Sequence, residues 1–332
     1  MLSHRAPFWL PEGHLQTIVP ALWGRRVMRT GNPLQRTRWT TPDGDFIDLD
    51  WHEASGVHSA SRPLLVLFHG LEGSSASHYA RTFSQWALQN QVGFVVPHFR
   101  GCSGEANLTP RAYHSGDAPE IDWVLRRLKA ENPHRSLLAV GISLGGNALA
   151  RWAGEQGLAA ANVVDALASV CSPLDLTASG HAIGRGINRW LYTPMFLNTL
   201  IPKAIQKAKQ FPGLVDVKRL QQAKNLYEFD DVFTAPVHGY ANADDYWARA
   251  SAKPVLSDVR VRMLLLNAMN DPFVPVSSLP SHQDVSPSVT LWRPAQGGHV
   301  GFPGRSGPRG HWLMPMPEGV GAWLVEGVNR LP

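Results

Sequence analysis

The 332-residue chain has little cysteine, no long apolar run and few charged residues. Its two cysteines, Cys102 and Cys171, are too few for a disulfide framework and too far apart for a C-x-x-C zinc site. We therefore expect no metal and a reducing, cytoplasmic compartment. No segment approaches the roughly 18 consecutive apolar residues of a membrane span, and polar residues interrupt positions 1–20, where a signal peptide would be apolar. The sequence predicts a soluble protein without stable membrane insertion.

Hydrophobic residues make up 44% of the chain, which is enough for a large core. The net charge is +5 at pH 7, but the basic residues are scattered, and their longest clusters are pairs such as Arg25-Arg26 and Arg126-Arg127. No nucleic-acid-binding motif accompanies them. We therefore expect no nucleic-acid partner.

Strand-like and helix-like patterns alternate along most of the chain. Because such alternation is typical of parallel sheets with crossover helices, it predicts an α/β fold, a mostly parallel sheet with helices on both faces, in one domain over residues 1–332. In the segment 46–51, apolar residues alternate with Asp48 and Asp50, which predicts a half-buried strand. The predicted elements are a hairpin over 36–52, strands over 64–68, 93–99, 136–140, 166–172, 262–268 and 289–294, helices over 77–90, 145–156 and 315–329, and a helix that begins at Asp117.

Residues 174–255 contain helical and irregular patterns but no convincing strand, which predicts a helical lid inserted between two strands of the sheet. Within it, residues 201–210 have the pattern of an amphipathic helix with Lys203, Gln206 and Lys207 on the polar side. A group of large apolar residues is a candidate acyl pocket, with Phe196 as the predicted substrate-binding residue. The group comprises Leu191, Tyr192, Met195, Phe196 and Leu197.

Ser143 lies in Gly141-Ile142-Ser143-Leu144-Gly145, between a predicted strand and a predicted helix. This G-x-S-x-G pattern is typical of a nucleophile elbow, a strained turn that presents a serine next to the N-terminus of a helix. The helix dipole and free N–H groups then face a developing oxyanion. The alternative is a glycine-rich turn that serves packing alone.

A serine nucleophile needs a base and a carboxylate that orients the base. Asp271 and His299 each follow a later predicted strand, in the chain order Ser–Asp–His of this architecture. Asp175 is an alternative carboxylate and His311 a weaker alternative base. The pair Asp244-Asp245 is interpreted instead as a solvated helix start in the insertion.

An oxyanion hole needs two N–H donors. The residue after the nucleophile supplies one, which is Leu144 here, and the loop after the strand 64–68 supplies the other, for which we choose Leu71. His69 in the same loop is interpreted as a structural histidine that bonds to nearby backbone. Arg100, at the carboxyl end of a predicted strand, either orients a substrate carboxyl or phosphate group or forms a buried pair with an acidic side chain that fixes its loop. Cys102 is interpreted as a small loop residue.

Several segments together resemble the YheT-like branch of the α/β-hydrolases, from about residue 7 to the last helix. They are HLQT (14–17), HGLEGSSASHY (69–79), HFRGCSGEAN (98–107), YHSG (113–116), GISLGGN (141–147), FDDVFTAP (229–236), NAMNDPFVP (267–275) and GGHVGF (297–302). The resemblance implies an α/β-hydrolase fold and a carboxylesterase-type serine hydrolase, with Ser143, Asp271 and His299 as its triad and medium-chain acyl esters as a plausible substrate class. Some members of the branch resemble acyltransferases, and others resemble phospholipid-directed enzymes with a membrane anchor.

These observations predict cleavage of a small-molecule short- to medium-chain acyl ester through an acyl-enzyme, without a cofactor. An acyltransferase that uses the same triad is the first alternative, although the chain lacks the H-x-x-x-x-D spacing of one acyltransferase signature. A catalytically silent binding protein is the second. Gly146 is expected to allow close helix packing, and the residues give no account of Asn147.

Overall fold

The computed structural model describes residues 4–27, 34–53, 62–306, 311–313 and 316–328. Eight strands form one sheet in the order β1-β2-β4-β3-β5-β6-β7-β8, and a separate pair is formed by β9 and β10. The strands are β1 (Gln35–Thr40), β2 (Phe46–His52), β3 (Leu64–Phe68), β4 (Gly93–Pro97), β5 (Leu137–Ile142), β6 (Ala166–Val170), β7 (Met263–Leu266), β8 (Val289–Trp292), β9 (Gly304–Ser306) and β10 (His311–Leu313).

The large sheet is mostly parallel. The hairpin β1–β2 is antiparallel and β2 pairs antiparallel with β4, whereas every pair from β4 through β3, β5, β6 and β7 to β8 is parallel. The parallel strands are buried over nearly their whole length, as continuous apolar runs require. The predicted sheet is confirmed, and the carboxyl ends of its strands meet at one edge.

The helices are α1 (Gly13–Val27), α2 (His78–Gln89), α3 (Ala118–Glu131), α4 (Leu144–Gln156), α5 (Leu176–Ile183), α6 (Gly186–Leu191), α7 (Thr193–Gln210), α8 (Val217–Gln222), α9 (Leu226–Phe229), α10 (Ala235–Val237), α11 (Ala243–Ala250) and α12 (Met316–Val328). A π-helical turn, Asp230–Thr234, joins α9 to α10, and three short 3₁₀ turns cover Gly157–Asn162, Lys253–Asp258 and Val276–Ser278.

Helices cover both faces of the sheet. One core packs α3 and α4 against the strands, and Trp152 of α4 is fully buried there. The other core packs α2 and α12 against the opposite face, with Phe83 and Leu324 among its buried residues. Asp117 accepts a hydrogen bond from the backbone N–H of Glu120, which is the predicted start of α3. Helices α5 to α11 lie between β6 and β7, in the segment 174–255 that we call the insertion.

Two predictions about side-chain burial are wrong in detail. Strand β2 is buried on both sides, because Asp48 and Asp50 pair with Arg38 and Arg36 of β1 at 2.7 Å and are covered by them. In the insertion, Lys207 of α7 lies on the buried side rather than with the solvated lysines. Its ammonium group donates to the side-chain oxygen of Asn107 at 2.8 Å and to the backbone carbonyl of Thr109 at 2.6 Å. Hydrogen bonds to oxygens replace its water there.

Candidate active site

Ser143 sits at the sharp turn between β5 and α4 with φ +52° and ψ −118°. This conformation is strained for a residue with a side chain, and such strain is typical of functional turns. The neighbouring glycines allow it sterically. A side-chain carbon on Gly145 would lie 2.5 Å from the carbonyl oxygen of His69, and one on Gly70 would lie 3.2 Å from Cβ of Ser143. The loop after β3 therefore reaches the serine directly.

Gly146 and Asn147 fix α4 behind this turn. A side-chain carbon on Gly146 would lie 2.9 Å from the Ser169 hydroxyl, so a glycine permits the close contact of α4 with β6. The fully buried Asn147 amide donates to the carbonyl of Ser115 at 2.8 Å and to that of Ala250 at 2.9 Å. Its oxygen accepts from the N–H of Ala252 at 3.0 Å. Asn147 thus ties the helix of the elbow to the end of the insertion.

Ser143, His299 and Asp271 form one hydrogen-bonded chain at the carboxyl edge of the sheet. The Ser143 hydroxyl lies 3.0 Å from Nε2 of His299, and Nδ1 of His299 lies 2.9 Å from the Asp271 carboxylate. The other oxygen of buried Asp271 accepts from the N–H of Phe273 at 2.8 Å. With Nδ1 donating to the carboxylate, Nε2 is free to accept the serine proton. The arrangement is chemically able to activate the hydroxyl as a nucleophile.

The two predicted oxyanion donors are the backbone N–H groups of Leu71 and Leu144. Residues Leu71 and Leu144 both line the cavity that contains Ser143. On either side of Leu71, the N–H of Gly70 donates to Tyr79 and that of Glu72 to Tyr113, both at 2.9 Å. Among the described residues, the backbone N–H groups of Leu71 and Leu144 have no hydrogen-bond acceptor.

His69 has the structural geometry expected of it. Its Nδ1 lies 2.8 Å from the carbonyl of Gly70, and its Nε2 accepts from the N–H of Phe99 at 3.1 Å. Complete burial lowers the pKa of His69 to about 3, so the ring is neutral at physiological pH. One nitrogen therefore donates and the other accepts, and both are occupied by backbone.

The residues considered as alternatives to Asp271 and His299 either have other structural roles or have side chains that the structure does not describe. Asp175 caps α5 and accepts from the N–H of Ala178 at 3.0 Å. His311 belongs to β10, and its side chain lies outside what the structure describes. Asp244 and Asp245 lie in the first turn of α11, as a solvated helix start requires.

Arg100 makes the predicted pairing with acidic side chains, and it also lines the cavity that contains Ser143. Its Nε donates to Glu120 at 2.6 Å and its Nη1 to Asp43 at 2.7 Å, in a buried site. Its Nη2 donates to Asp43 at 3.1 Å, so all of its guanidinium nitrogens have carboxylate partners. A role of Arg100 in orienting a substrate stays a prediction. Nearby, burial raises the pKa of the Cys102 thiol to about 12, which keeps it protonated and unreactive.

Asp45 is fully buried beside Arg100 and holds the following loop. It accepts from the N–H of Leu108, the Asn107 amide and the Thr109 hydroxyl, each at 2.8 Å. Burial acts to raise the pKa of Asp45, but these hydrogen bonds outweigh it and lower the pKa to about 2. The loop that runs to Tyr113, and so to the neighbour of Leu71, is anchored by this carboxylate.

A cavity of about 390 Å³ opens at Ser143 and His299 and extends under the insertion. Phe196 lines it, as predicted, together with the apolar residues Leu176, Leu200, Phe229 and Phe233. The other members of the predicted acyl-pocket group lie elsewhere. Tyr192 is buried against Phe273 in the loop after β7, and Leu197 is buried within the packing of the insertion, whereas Leu191 and Met195 face solvent.

A polar network from the start of α1, which the sequence did not predict, fastens the loop that carries His299. The Thr17 hydroxyl accepts from the N–H of His299 at 2.8 Å and donates to the carbonyl of Gly13 at 2.7 Å. The buried Gln16 oxygen accepts from the N–H of Gly297 at 2.8 Å and from the Asn270 amide at 2.9 Å.

The same network holds the loop that carries Asp271. Asn270 precedes that residue, and its oxygen accepts from the N–H of Gly298 at 3.0 Å. Gln16 therefore contacts the loops after β7 and β8 at once. The signal for it was the motif HLQT, which the family resemblance supplied without a physical role.

Among the described residues, no helix is long and apolar enough to cross a membrane. No group of three or more His, Cys, Asp or Glu side chains within the same residues is arranged to hold a metal ion. Cys102 and Cys171 are free thiols.

Comparison with known proteins places this fold and site in a family. The alpha/beta hydrolase fold family matches residues 63–305. The chain is 39% identical over 314 residues to "Putative esterase YheT" of Escherichia coli (strain K12), which covers 94% of this chain and 90% of that protein. It is 30% identical over 303 residues to human "Phospholipase ABHD3", which covers 89% of this chain and 72% of that protein. The structure of the Pyrococcus furiosus esterase Pf2001 superposes with a TM-score of 0.53 at 16% identity over 90% of this chain and 92% of the other, which shows a shared fold.

The chain belongs to the alpha/beta hydrolase family. Within that family it is YheT-like, because its identity to the Escherichia coli protein extends over nearly the whole of both chains. The predicted fold class and the predicted family resemblance are both confirmed.

Proposed function

We propose that the protein hydrolyses carboxylic esters of short- to medium-chain acyl groups with Ser143 as nucleophile. The observation that carries the proposal is the hydrogen-bonded chain from the Ser143 hydroxyl through His299 to Asp271, with 3.0 Å and 2.9 Å between partners. This chain opens into a cavity whose volume of about 390 Å³ falls within the range of small-molecule sites.

In the proposed reaction, the Ser143 oxygen attacks the ester carbonyl while Nε2 of His299 takes the hydroxyl proton. Asp271 stays ionised, fixes the imidazole and stabilises its cation. The N–H groups of Leu71 and Leu144 bind the oxyanion of the tetrahedral intermediate. His299 then gives its proton to the leaving alcohol, which leaves an acyl group on Ser143. Water then attacks the acyl carbonyl while His299 takes its proton. The tetrahedral intermediate collapses, the bond to the Ser143 oxygen breaks and the acid leaves, and His299 returns the proton to the Ser143 oxygen.

The acyl chain is proposed to occupy the part of the cavity lined by Phe196, Leu200 and Phe229. Burial of each methylene there contributes about 0.8 kcal/mol, so chain length should affect the apparent affinity until the cavity is full. The insertion is accordingly proposed to act as a lid over the acyl chain. The cytoplasmic location stays a prediction.

The proposal is tested by labelling with a fluorophosphonate, which reacts with activated serines. The wild type should be labelled and Ser143→Ala should not. Ser179→Ala is the matched control, because Ser179 lines the same cavity without a base and its variant should be labelled like the wild type. Equal labelling of Ser143→Ala and the wild type would contradict the proposed role of Ser143.

Nitrophenyl esters of increasing chain length, with and without an added alcohol, test the reaction. Release of free acid at an unchanged rate when the alcohol is present supports hydrolysis. Capture of most of the acyl group as a new ester would show instead that the same acyl-enzyme serves acyl transfer.

A further inference from the structure

The outer side of the insertion carries a row of exposed apolar side chains on α6 and the start of α7. We call it the apolar stripe, and it comprises Ile187, Trp190, Leu191 and Met195, which are 61%, 79%, 41% and 55% exposed. Their spacing of three and four residues places them on one helical face, since Tyr192 between the two helices keeps a right-handed helical backbone. Large apolar side chains exposed together mark a surface that meets a partner.

The stripe is separate from the cavity, although α7 contributes residues to both. On the inner side of α7, Leu197 and Leu200 are buried, and Phe196 and Leu200 line the cavity. The stripe residues are absent from the cavity lining. One turn of helix therefore faces the candidate acyl pocket on one side and solvent on the other.

The charged residues on the helices that carry the stripe are all basic. Residues 176–215 contain no aspartate or glutamate, whereas Arg185 and Arg189 beside the stripe are both exposed. Farther along α7, Lys203 pairs with Glu72 at 2.7 Å and Lys207 is buried against backbone oxygens. The acidic residue Glu12 lies near the Tyr192 end, where its carboxylate accepts from backbone N–H groups at the start of α1.

We propose that the apolar stripe docks on the surface of a phospholipid bilayer that contains anionic headgroups. Tryptophan prefers the headgroup level of a membrane, and an amphipathic helix with basic residues beside an apolar face is the usual form of interfacial binding. Arg185 and Arg189 find phosphate partners there, whereas residues 176–215 offer them no acidic side chain. The side chains of Ile187 and Trp190 enter the acyl boundary.

A second copy of the chain fits this surface less well. If two stripes met about a two-fold axis, Arg185 and Arg189 of each copy would approach the same arginines of the other, without an acidic residue on α5, α6 or α7 to pair with them. Like charges brought together in this way oppose association. An anionic lipid surface removes the conflict.

Docking goes beyond the proposed chemistry, because it concerns where the enzyme meets its substrate. An α-helix with its side chains is about 10 Å across. A lipid surface on the outer side of α6 and α7 would therefore lie about one helix diameter from the cavity lining on the inner side of α7. An ester drawn from that surface would reach Ser143 without crossing bulk water.

The test is co-sedimentation of the full chain with vesicles of phosphatidylcholine alone and of phosphatidylcholine with phosphatidylglycerol. The wild type should sediment with the anionic vesicles, and added salt should weaken the binding. The double variant Ile187→Gln/Trp190→Gln should partition at least about tenfold less. Leu158→Gln is the matched control, because Leu158 is 76% exposed on the 3₁₀ turn Gly157–Asn162, outside the insertion, and its variant should bind like the wild type.

Two pairs of charge-removing variants distinguish the effect of the arginines beside the stripe from the effect of the net charge of the protein. Each of Arg185→Gln and Arg189→Gln should weaken partitioning about fivefold, since a basic residue near an anionic surface contributes about 1 kcal/mol. Lys218→Gln and Lys224→Gln remove the same charge elsewhere and should have no such effect.

Two further readouts make the outcome decisive. Ser143→Ala should bind vesicles like the wild type, so a failure of the proposed hydrolysis and a failure of docking are distinguished. The stripe variants should keep the wild-type rate on a water-soluble short-chain ester, which shows that they fold. The inference would be overturned if the stripe double variant bound vesicles as strongly as the wild type. It would also be overturned if the wild type bound no vesicles but formed a dimer that the double variant converts to a monomer.

Discussion

Replacement of Thr17 by valine should lower activity more than it lowers stability. The Thr17 hydroxyl is the acceptor for the backbone N–H of His299 at 2.8 Å, and valine keeps the shape of the side chain but removes that acceptor. A buried donor left without a partner costs about 1–3 kcal/mol. If the loop relieves this cost by leaving its present geometry, the reactive arrangement becomes about 5- to 150-fold less populated. We expect kcat to fall by that factor with KM almost unchanged, because the residue touches no part of the cavity.

The assay is steady-state hydrolysis of a soluble nitrophenyl ester, with thermal unfolding measured on the same samples. Thr17→Ser keeps a hydroxyl and should restore most of the rate. Thr82→Val is the control for stability, since the Thr82 hydroxyl donates to the carbonyl four residues earlier at 2.7 Å, as Thr17 does. That variant should lose stability and keep kcat. The reasoning is refuted if folded Thr17→Val has the wild-type kcat, or if Thr17→Ser loses as much rate as Thr17→Val.

Three other changes test the site and its support. Asp271→Asn should lower kcat by a factor on the order of 10³ to 10⁴, because it favours the wrong tautomer of the His299 imidazole. Asp175→Asn should keep the wild-type rate, because asparagine is as good a cap for α5 as aspartate is. Steady-state kinetics of both variants decides which carboxylate belongs to the triad. Phe196→Ala should shift the preferred ester toward longer acyl chains, measured on a series of nitrophenyl esters. Met195→Ala should not, because Met195 faces solvent. An unchanged chain-length profile in Phe196→Ala would contradict the placement of Phe196 in the acyl pocket. Asp45, with its pKa lowered to about 2, contributes about 2 kcal/mol of stability that is present above pH 4 and lost as the pH falls through 2. Urea unfolding between pH 2 and 6 should therefore show a weaker pH dependence for Asp45→Asn, and parallel curves would contradict this.

The central sheet could be predicted from the sequence because its parallel strands are buried on both faces. Such strands are continuous apolar runs, so β3 was predicted with its observed bounds and β4, β5 and β6 within about two residues. Helix α1 was not predicted, since its sequence contains Pro20 and has no acidic residue in its first turn. The hairpin of β9 and β10 is too short to leave a pattern, with three residues in each strand.

The residues of the candidate site also divide into those that the sequence predicts and those that it does not. Ser143, Asp271 and His299 follow strands, and the chain order of strands at one sheet edge is enough to bring their loops together. The partners of Gln16 and Asn147 could not be predicted, because their hydrogen bonds join segments separated by 281 and 103 residues. Nothing in the local pattern of a glutamine or an asparagine encodes a contact of that range.

The insertion shows most clearly where sequence patterns stop being informative. The sequence predicts Leu191 and Met195 to share one candidate pocket with Phe196, because all three belong to one cluster of large apolar residues in the insertion. In the structure the group divides, since Phe196 reaches the cavity and Met195, one residue earlier, is 55% exposed. The contacts within the described chain do not explain why the exposed residues 187 and 190 are isoleucine and tryptophan rather than polar residues. A lipid surface would explain the exposed apolar residues on the outer side of α6 and α7. The acyl chain of a substrate drawn from that surface would explain the apolar residues on the inner side of α7.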